Sequence, residues 1–340
     1  MRETSETTRW RDSDPEVHAL ASWYIYAIAS CMDWNSRYIA ELVERALAED
    51  IGTGDASVAA TIPANATARA RVLAKQELVC AGLPLVEAIF KKLDLRMIVE
   101  LRAKDGQLAG NGDVLLQLDG KAAAILTGER TALNFLGMLS GIATLTRRFA
   151  EQLAGTGANI RDTRKTTPGL RLLEKYAVKM GGGTNHRMGL YDEILLKENH
   201  IALAGGVKAA LDQAHAFVAA QMHPRAMTAY EAVGTTPSTD EAASLPIQVE
   251  VRNETELREA LGAGAASLLL DNMTPEEARR CVEIARGLRA DCVVEISGGI
   301  TLQNARSYAE TGADFLSSGA LTHSAPAADV SLLVDCVQEK

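Results

Sequence analysis

A dense group of basic side chains lies between residues 161 and 200 of a chain that is otherwise acidic. The whole protein has 340 residues and a formal net charge of −9. An arginine guanidinium binds a carboxylate through two parallel hydrogen bonds, whereas a lysine ammonium is a compact charge suited to phosphate. The mixture predicts a strongly anionic substrate that carries both kinds of group. The basic residues are Arg161, Arg164, Lys165, Arg171, Lys175, Lys179, His186, Arg187, Lys197 and His200.

These cations differ in the elements that are expected to carry them. An unpaired cation is costly to leave at the end of a buried strand, so cations that follow short apolar runs are predicted to bind substrate. Those cations are Arg164, Lys165 and Lys197. The helical stretch GLRLLEKYAVK carries cations at i,i+4 spacing, which is ordinary on a wet helix face. For Lys175 and Lys179 we therefore predict solvent exposure, while Arg171 is compatible with either role.

The segment GGGTNHRMG places a histidine and an arginine directly after three glycines. Glycines permit a close approach of backbone to a ligand, and loops held by a rigid scaffold often carry binding residues. A lone histidine is usually structural. The pairing of His186 with Arg187 in this context predicts that both face the ligand.

Two acidic residues follow about one strand-helix unit apart, Glu250 in VEV and Asp271 in LLLDN. Carboxylates beside a phosphate site can hold Mg²⁺ or accept hydrogen bonds from sugar hydroxyls. An alternative is that one of them pairs with a neighbouring lysine. Farther on, ISGGI and SSGAL are small-residue turns between strand and helix, where backbone amides can hold a phosphate. Each turn is a weak motif, and together they indicate a phosphate monoester.

Beyond residue 158, short apolar runs alternate with helical stretches. Six such runs end in polar or glycine residues, namely NIRDTRK, EILLKEN, IQVEVRN, SLLLDNM, CVVEISGG and FLSSGAL. Strands alternating with helices form parallel β/α units, and in barrels of such units the active site lies at the carboxyl ends of the strands. The runs therefore predict a β/α barrel whose site contains the residues described above.

The first part of the chain has a different pattern. Apolar positions recur at helical spacing from Arg37 to Ile51, and TARARVLAKQELV, LRMIVELRA and DVLLQLDG alternate apolar and polar residues as antiparallel strands do. The following AAAILTGERTALNFLGMLSGIATLTRRFAEQLAG predicts one or two long helices, broken near Gly137 and Gly141. The first domain is predicted to end within them.

Composition excludes several classes of protein. No run approaches the roughly 20 apolar residues that a membrane span needs, and an acidic chain disfavours nucleic acid as a partner. The five cysteines form no CxxC pair, which argues against a disulfide framework and a zinc site. We expect a cytoplasmic protein that binds neither membrane nor nucleic acid.

Two segments fall outside these patterns. Residues 1–33 form an N-terminal extension without an assignable pattern, and Met32 is an alternative start. Residues 221–245 contain Pro224, Pro237 and a GTTPST core, which predicts a loop or a loosely ordered insert. Because the insert joins a helix to the next strand, we expect it on the face opposite the chemistry and dispensable for catalysis.

The order of these motifs resembles that of the quinolinate phosphoribosyltransferases, also called carboxylating nicotinate-nucleotide pyrophosphorylases. The resemblance runs from about Trp34 to the C-terminus and rests on GERTALN, DTRKTTPG, GGGTNHRMGLYD, LLKENH, VEV, LLLDN, EISGGI and SSGALTHS. It implies the α/β type II phosphoribosyltransferase fold. An N-terminal α/β sandwich domain would span 34–141, completed by the tail 321–340, and an incomplete parallel β/α barrel would span 142–320.

The resemblance also implies a homodimer with shared active sites, which could assemble further. Arg130, in GERTALN, would reach a quinolinate carboxylate in the neighbouring subunit's site. Arg164, His186 and Arg187 would complete that carboxylate pocket. Neither the extension nor the insert interrupts a motif, so they bear on oligomer contacts more than on activity.

The remaining roles implied by the resemblance concern phosphoribosyl pyrophosphate. Lys165 and Lys197 would hold the pyrophosphate, with Lys197 also near the acceptor, and Glu250 and Asp271 would serve the ribose and Mg²⁺. These four form the implied catalytic set. The other implied substrate-binding residues are Thr163, Ser297, Gly298, Gly299, Ser318, Gly319 and Ala320.

The implied reaction joins quinolinate to the phosphoribosyl group with loss of pyrophosphate and CO₂, giving nicotinate mononucleotide. It requires Mg²⁺ and no organic cofactor. Three alternatives remain open at this point: a paralogue with another acceptor, a Schiff-base lyase that uses Lys197 as nucleophile, and a non-catalytic phosphate-binding protein. The complete set of arginines and carboxylates favours the phosphoribosyltransferase.

Overall fold

The computed structural model of the protein describes residues 32–220 and 245–338. Within these ranges the chain forms a four-stranded antiparallel sheet and a six-stranded parallel sheet, with a short two-stranded pair beside them. The predictions for residues 1–31 and for most of the insert at 221–245 lie outside the described residues.

The helices in chain order are α1 (Arg37–Ile51), α2 (Ala56–Thr61), α3 (Leu83–Leu93), α4 (Ala122–Leu153), α5 (Arg171–Met180), α6 (Glu198–Ala204), α7 (Val207–Ala220), α8 (Glu254–Gly262), α9 (Pro275–Leu288), α10 (Ala305–Ala309) and α11 (Ala320–His323). The strands are β1 (Thr67–Ala74), β2 (Leu78–Val79), β3 (Ile98–Leu101), β4 (Leu108–Ala109), β5 (Val114–Lys121), β6 (Asn159–Arg161), β7 (Ile194–Leu196), β8 (Ile247–Val251), β9 (Ser267–Asp271), β10 (Val293–Ser297), β11 (Phe315–Ser317) and β12 (Val330–Gln338).

The antiparallel sheet has the strand order β12-β1-β5-β3. Residues along β1 alternate between more and less buried, so one face packs on the core as the sequence pattern predicted. The C-terminal strand β12 pairs with β1, with Ala70 opposite Val334, so the chain returns to its first sheet after completing the second. The small β2–β4 pair was not predicted, because two residues are too few to show an alternation.

Helix α4 runs through 32 residues without interruption, and the predicted break near Gly137 and Gly141 is wrong. Both glycines lie where the helix contacts the chain that leads into β12. A Cβ at Gly141 would lie 3.0 Å from the carbonyl carbon of Pro326, and one at Gly137 would lie 2.9 Å from the Ala328 carbonyl oxygen. The glycines therefore serve close packing rather than a bend. Among the described residues no helix, this one included, is long and apolar enough to cross a membrane.

The parallel sheet contains all six apolar runs that the sequence pattern identified as strands. Its order is β6-β11-β10-β9-β8-β7, so β6 and β7 are the two edges and the barrel is left open between them. The central strands are buried on both faces, as parallel strands between helices are. With the antiparallel sheet domain in front of it, this incomplete barrel confirms the predicted fold class.

The N-terminal segment also contacts the barrel half of the molecule. The rings of Trp34 and Tyr176 meet edge to face with centroids 5.0 Å apart. The Tyr38 hydroxyl donates to the Gly169 carbonyl at 2.7 Å, and the Tyr176 hydroxyl donates to the Asp105 carboxylate at 2.7 Å. These contacts hold the loop after β6 and helix α5 against the first domain.

Candidate active site

Polar residues from neighbouring strands meet at the carboxyl edge of the parallel sheet. The register places Ser297 beside Asp271, Ser317 beside Ser297, and Arg161 beside Ser317. On the other side Leu196 pairs with Val249, which brings the next residues, Lys197 and Glu250, together. Residues from all six strands therefore share one edge, and four of them, Asp271, Ser297, Lys197 and Glu250, are predicted site residues, as the strand-end rule for barrels requires.

Lys197 and Glu250 form an ion pair at this edge. The lysine side chain is 46% exposed and the glutamate side chain 12% exposed, so the pair lies at the site surface. The pairing of an acidic residue with a neighbouring lysine, left open by the sequence, is thus present in this structure. A Schiff-base nucleophile must be an uncharged amine, whereas a neighbouring carboxylate stabilises the charged form of a lysine. The contact therefore argues against a Schiff-base lyase.

The turn after β11 brings predicted phosphate-binding residues close to Lys165. A Cβ at Gly319 would lie 2.9 Å from the Lys165 side chain, and the Thr322 hydroxyl donates to the Lys165 carbonyl at 2.8 Å. The Ser318 backbone amide donates to the Arg161 carbonyl at 3.0 Å. The lysine therefore lies beside the second small-residue turn, where a phosphate and an ammonium can meet.

Asn272, which the sequence reasoning missed, connects Asp271 to the glycine turn after β10. Its side-chain amide donates to the Asp271 carboxylate at 2.8 Å, and its backbone amide donates to the Ser297 carbonyl at 2.9 Å. Its φ of 55° is the only positive value among the described non-glycine residues. Asparagine tolerates this conformation better than most residues, so DN in LLLDN was the available signal.

Arg164 and Arg187, the arginines predicted to bind carboxylates, lie on two neighbouring segments of the chain, since Arg161 forms a parallel bridge with Thr184. Burial lowers the pKa of Arg187, and the positive charge of Arg164 lowers it further. One guanidinium nitrogen of Arg187 donates to the Glu193 carbonyl at 3.0 Å, while Arg164 is exposed. Two guanidiniums on neighbouring segments are suited to a ligand with two carboxylates.

His186 is almost buried, at 8% side-chain exposure. Its Nδ1 accepts a hydrogen bond from the Arg187 amide at 2.7 Å and lies 3.4 Å from Glu193, and its Nε2 lies 3.5 Å from Glu295. Burial raises the pKa of Glu193. Burial alone would raise the pKa of Glu295 as well, but the neighbouring His186 and Arg161 bring it below its usual range. The ring thus contacts protein carboxylates, and its role as a ligand residue stays a prediction.

Helix α5 does not expose its cations as predicted. Lys175 is 0% exposed and pairs with the equally buried Asp162, so its assignment to a wet face is wrong. Arg171 donates to the Thr166 hydroxyl at 2.9 Å and to the Met188 carbonyl at 3.0 Å. These residues lie on the helix face that meets the loop after β6, because residues four apart share a face.

Arg130 and Thr163 complete the predicted set. Arg130 is exposed on α4, and within the described part of the chain no hydrogen bond or ion pair joins it to the other site residues. The Thr163 hydroxyl accepts a hydrogen bond from the Lys165 amide at 3.0 Å, which shapes the turn between them.

Two family models match most of the chain. The model of the quinolinate phosphoribosyl transferase C-terminal domain matches residues 142–333, and that of the N-terminal domain matches residues 55–140. The chain belongs to the quinolinate phosphoribosyltransferase family. The two matches meet within helix α4, and together they include every predicted site residue.

Curated members of the quinolinate phosphoribosyltransferase family align over most of the chain. The probable nicotinate-nucleotide pyrophosphorylase [carboxylating] of Bacillus subtilis is 39% identical over 305 residues, 90% of this chain and 96% of its own length. The quinolinate phosphoribosyltransferase [decarboxylating] 1b of Nicotiana tabacum is 36% identical over 307 residues, 86% of this chain and 81% of its own.

Solved structures from the quinolinate phosphoribosyltransferase family share the fold. NadC from Streptococcus pyogenes superposes with a TM-score of 0.77 at 34% identity, covering 88% of this chain and 96% of that one. The nicotinate-nucleotide pyrophosphorylase from Francisella tularensis gives a TM-score of 0.74 at 36% identity, with the same coverage of 88% and 96%. The resemblance inferred from the motifs is confirmed.

Proposed function

We propose that the protein transfers the phosphoribosyl group of phosphoribosyl pyrophosphate to quinolinate, with decarboxylation to nicotinate mononucleotide. It is a pentosyltransferase of NAD biosynthesis, the carboxylating nicotinate-nucleotide pyrophosphorylase. The observation that carries this proposal is the joining of the Arg164 and Arg187 segments at this sheet edge, where Asp162 accepts hydrogen bonds from Asn185 and His186 and Lys165 lies against the Gly319 turn. That edge offers arginine guanidiniums for two carboxylates and a lysine ammonium for phosphate in one site.

The two substrates would divide the sheet edge between them. Quinolinate carries carboxylates on adjacent ring carbons, which the guanidiniums of Arg164 and Arg187 would bind. Lys165 and Lys197 would hold the pyrophosphate, and the small-residue turns at 297–299 and 318–320 would hold the 5′-phosphate. Binding both substrates in fixed orientation is the main source of rate, because it removes the entropy cost of their encounter.

The chemistry follows from the charges that develop. The lone pair of the pyridine nitrogen forms a bond to the anomeric carbon while the bond to the pyrophosphate oxygen breaks. Negative charge grows on the leaving group, where the ammonium groups of Lys165 and Lys197 stabilise it, and the Glu250 and Asp271 carboxylates stabilise the positive ribose. In the adduct, the electron pair of the C2–carboxylate bond stays on C2 as CO₂ leaves, the adjacent cationic nitrogen stabilises this negative charge, and C2 then takes a proton from solvent.

We further propose that Mg²⁺ binds with the pyrophosphate, near Glu250 and Asp271. Among the described residues no group of three or more histidine, cysteine, aspartate or glutamate side chains could hold a metal alone. Two carboxylates are nonetheless a suitable donor set, since Mg²⁺ keeps several waters and takes further oxygens from substrate phosphates. When bound, the ion would neutralise charge on the leaving pyrophosphate.

The site is proposed to be shared between two subunits of a homodimer, in which Arg130 of one subunit completes the carboxylate pocket of the other. Support comes from its exposed position on α4. Exposed apolar residues such as Leu95, Ile98 and Leu101 near the sheet edge β3 offer surface for such an assembly.

Mixing two inactive variants tests this shared site. We expect Arg130→Ala and Arg164→Ala each to be nearly inactive, because each removes a carboxylate ligand. Unfolded and refolded together, they form mixed dimers in which one site contains both substitutions and the other contains neither. Activity should return to roughly a quarter of wild type when half of the dimers are mixed, since each then has one intact site of two. Mixtures that stay inactive would contradict sharing.

A cytoplasmic location is proposed as well. It is supported by the cysteine pattern, as Cys80, Cys281 and Cys292 are all free in the described part of the chain. Proteins of oxidising compartments commonly pair their cysteines. Neither membrane nor nucleic acid is proposed as a partner.

The choice of acceptor tests the proposed function directly. We expect purified protein with Mg²⁺ and phosphoribosyl pyrophosphate to form nicotinate mononucleotide from quinolinate and not from nicotinate, because nicotinate offers only one carboxylate. Product separation by chromatography, with and without Mg²⁺, measures both requirements. Turnover of nicotinate alone would replace the acceptor named here, and turnover of neither would favour a paralogue with another acceptor.

A further inference from the structure

A buried polar cluster lies directly beneath the candidate active site. Asp162, the residue after β6, and Lys175 of α5 form an ion pair in which both side chains are 0% exposed. The Asp162 carboxylate also accepts hydrogen bonds from the His186 backbone amide at 2.9 Å and from the Asn185 side-chain amide at 2.5 Å. Asp162, Lys175 and Asn185 are called the buried triad below.

The buried triad joins the two chain segments that carry the paired arginines. Asp162 precedes Arg164 by two residues, and Asn185 precedes Arg187 by two. The Lys175 ammonium donates to the His186 carbonyl at 2.8 Å, and the Asn185 side chain donates to the Lys175 carbonyl at 2.9 Å. A shift of one segment against the other would therefore break several buried hydrogen bonds at once.

Stability alone does not explain a buried ion pair at this position. Removing two charges from water costs about as much as their attraction returns, and apolar residues of similar volume often stabilise a fold equally well. A connected network of buried polar groups does specify one geometry, because an unpaired member is costly. The network lies where geometry is needed, since Arg164 and Arg187 carry like charges and repel each other when no anion is bound.

We propose that the buried triad is a positioning device that sets the separation of the Arg164 and Arg187 guanidiniums. It thereby determines the preference of the site for two adjacent carboxylates over one. The triad residues contact the segments that carry the arginines and act only through them, so they are positioning residues. This inference rests on the proposed function, in which the acceptor is a 1,2-dicarboxylate.

Binding of two unreactive acids to the full chain tests the proposal. Benzene-1,2-dicarboxylate has two adjacent carboxylates and benzoate has one, and calorimetry gives the Kd of each. In Asp162→Asn and in Asn185→Ala, we expect the preference for the dicarboxylate to fall at least about tenfold, since a misplacement of ~1 Å can cost 10²-fold. The quinolinate KM should rise with it. The KM of phosphoribosyl pyrophosphate should change much less, because most groups proposed to hold it lie on other strands.

Asp314→Asn is the matched control. The Asp314 carboxylate accepts hydrogen bonds from the Arg286 guanidinium at 2.7 Å and from the Val294 amide at 2.7 Å, so it also joins a cation and a backbone amide. It precedes β11 and therefore lies at the amino ends of the strands, whereas the site lies at their carboxyl ends. We expect this variant to lose thermal stability while its preference for the dicarboxylate stays that of wild type.

The outcomes separate a positioning role from a structural one. An unchanged preference in Asn185→Ala, with a lowered Tm like that of Asp314→Asn, would overturn the proposal. If Asp162→Asn does not fold, Asn185→Ala decides alone, since it keeps the ion pair and removes only one hydrogen-bonding side chain. If the wild-type protein turns over quinolinate and the variants keep the wild-type preference for the dicarboxylate, the inference is refuted and the proposed function is not. A wild-type protein that neither turns over quinolinate nor prefers the dicarboxylate would refute both.

Discussion

Arg164→Ala is expected to lower kcat/KM for quinolinate by roughly 30- to 4,000-fold. Truncation of one partner in a hydrogen-bonded charge pair costs about 2–5 kcal/mol, and each 1.4 kcal/mol is a factor of ten. Arg164 is exposed in this structure, so its removal leaves no buried charge unpaired and the fold should be retained. Steady-state kinetics with quinolinate varied at saturating phosphoribosyl pyrophosphate gives the effect.

Two further substitutions control for charge and for the shape of the side chain. Arg258 on α8 pairs only across one helical turn with Glu254 among the described residues, so Arg258→Ala removes a cation away from the site and should keep wild-type kinetics. Arg164→Lys keeps the charge but loses the planar fork, and should restore only part of the lost activity. Full activity in Arg164→Ala would remove this arginine from the substrate site.

Gly298→Ala is expected to have the second large effect, on stability and on the use of phosphoribosyl pyrophosphate together. Gly298 has a φ of +96°, and an added Cβ would lie 2.8 Å from the Asn272 backbone nitrogen. The left-handed conformation costs an alanine about 1–2 kcal/mol, and the collision adds about 1–3 kcal/mol. Relief of the collision must move the turn at 297–299 or Asn272 beside Asp271, so the KM for phosphoribosyl pyrophosphate should rise.

Gly264→Ala isolates the collision from the backbone strain. Gly264 has the same φ of +96°, but an added Cβ there meets nothing within 4 Å. The residue precedes β9 and so lies at the amino ends of the strands, away from the site. Thermal unfolding should show a smaller loss of stability for Gly264→Ala than for Gly298→Ala, and the difference between the two losses should equal the cost of the collision. The kinetics of Gly264→Ala should match those of wild type. Equal Tm losses in the two variants would mean that Asn272 yields freely and does not fix the turn.

The strands of the barrel could be predicted from the sequence because their signal is local. Each apolar run is short, ends in a polar or glycine residue, and is separated from the next by a helical stretch, and all six formed strands. Residues such as Lys197 and Asp271 were then placed by a general rule, since parallel strands present their carboxyl ends at one edge. The predicted break in the long helix α4 was wrong because a glycine that permits close packing looks the same in the sequence as a glycine that ends a helix.

The buried cations could not be predicted because their environment is assembled from distant parts of the chain. Lys175 occupies an ordinary helical position, and only its contact with Asp162 at the end of β6 removes it from water. Glu295 likewise lies within an apolar strand, and its partners Arg161 and Gln248 come from two other strands. Local spacing carries no information on such contacts, which depend on how the strands are ordered in the sheet.

The measurement that most directly tests the proposed reaction follows each carboxyl carbon of quinolinate separately. Quinolinate labelled at either the 2- or the 3-carboxyl carbon is incubated with the protein, Mg²⁺ and phosphoribosyl pyrophosphate, and labelled CO₂ is compared with pyrophosphate released. We expect one CO₂ from the 2-carboxylate for each pyrophosphate, with the 3-label retained in nicotinate mononucleotide. Pyrophosphate release without CO₂, or CO₂ release in the absence of phosphoribosyl pyrophosphate, would contradict the proposed reaction.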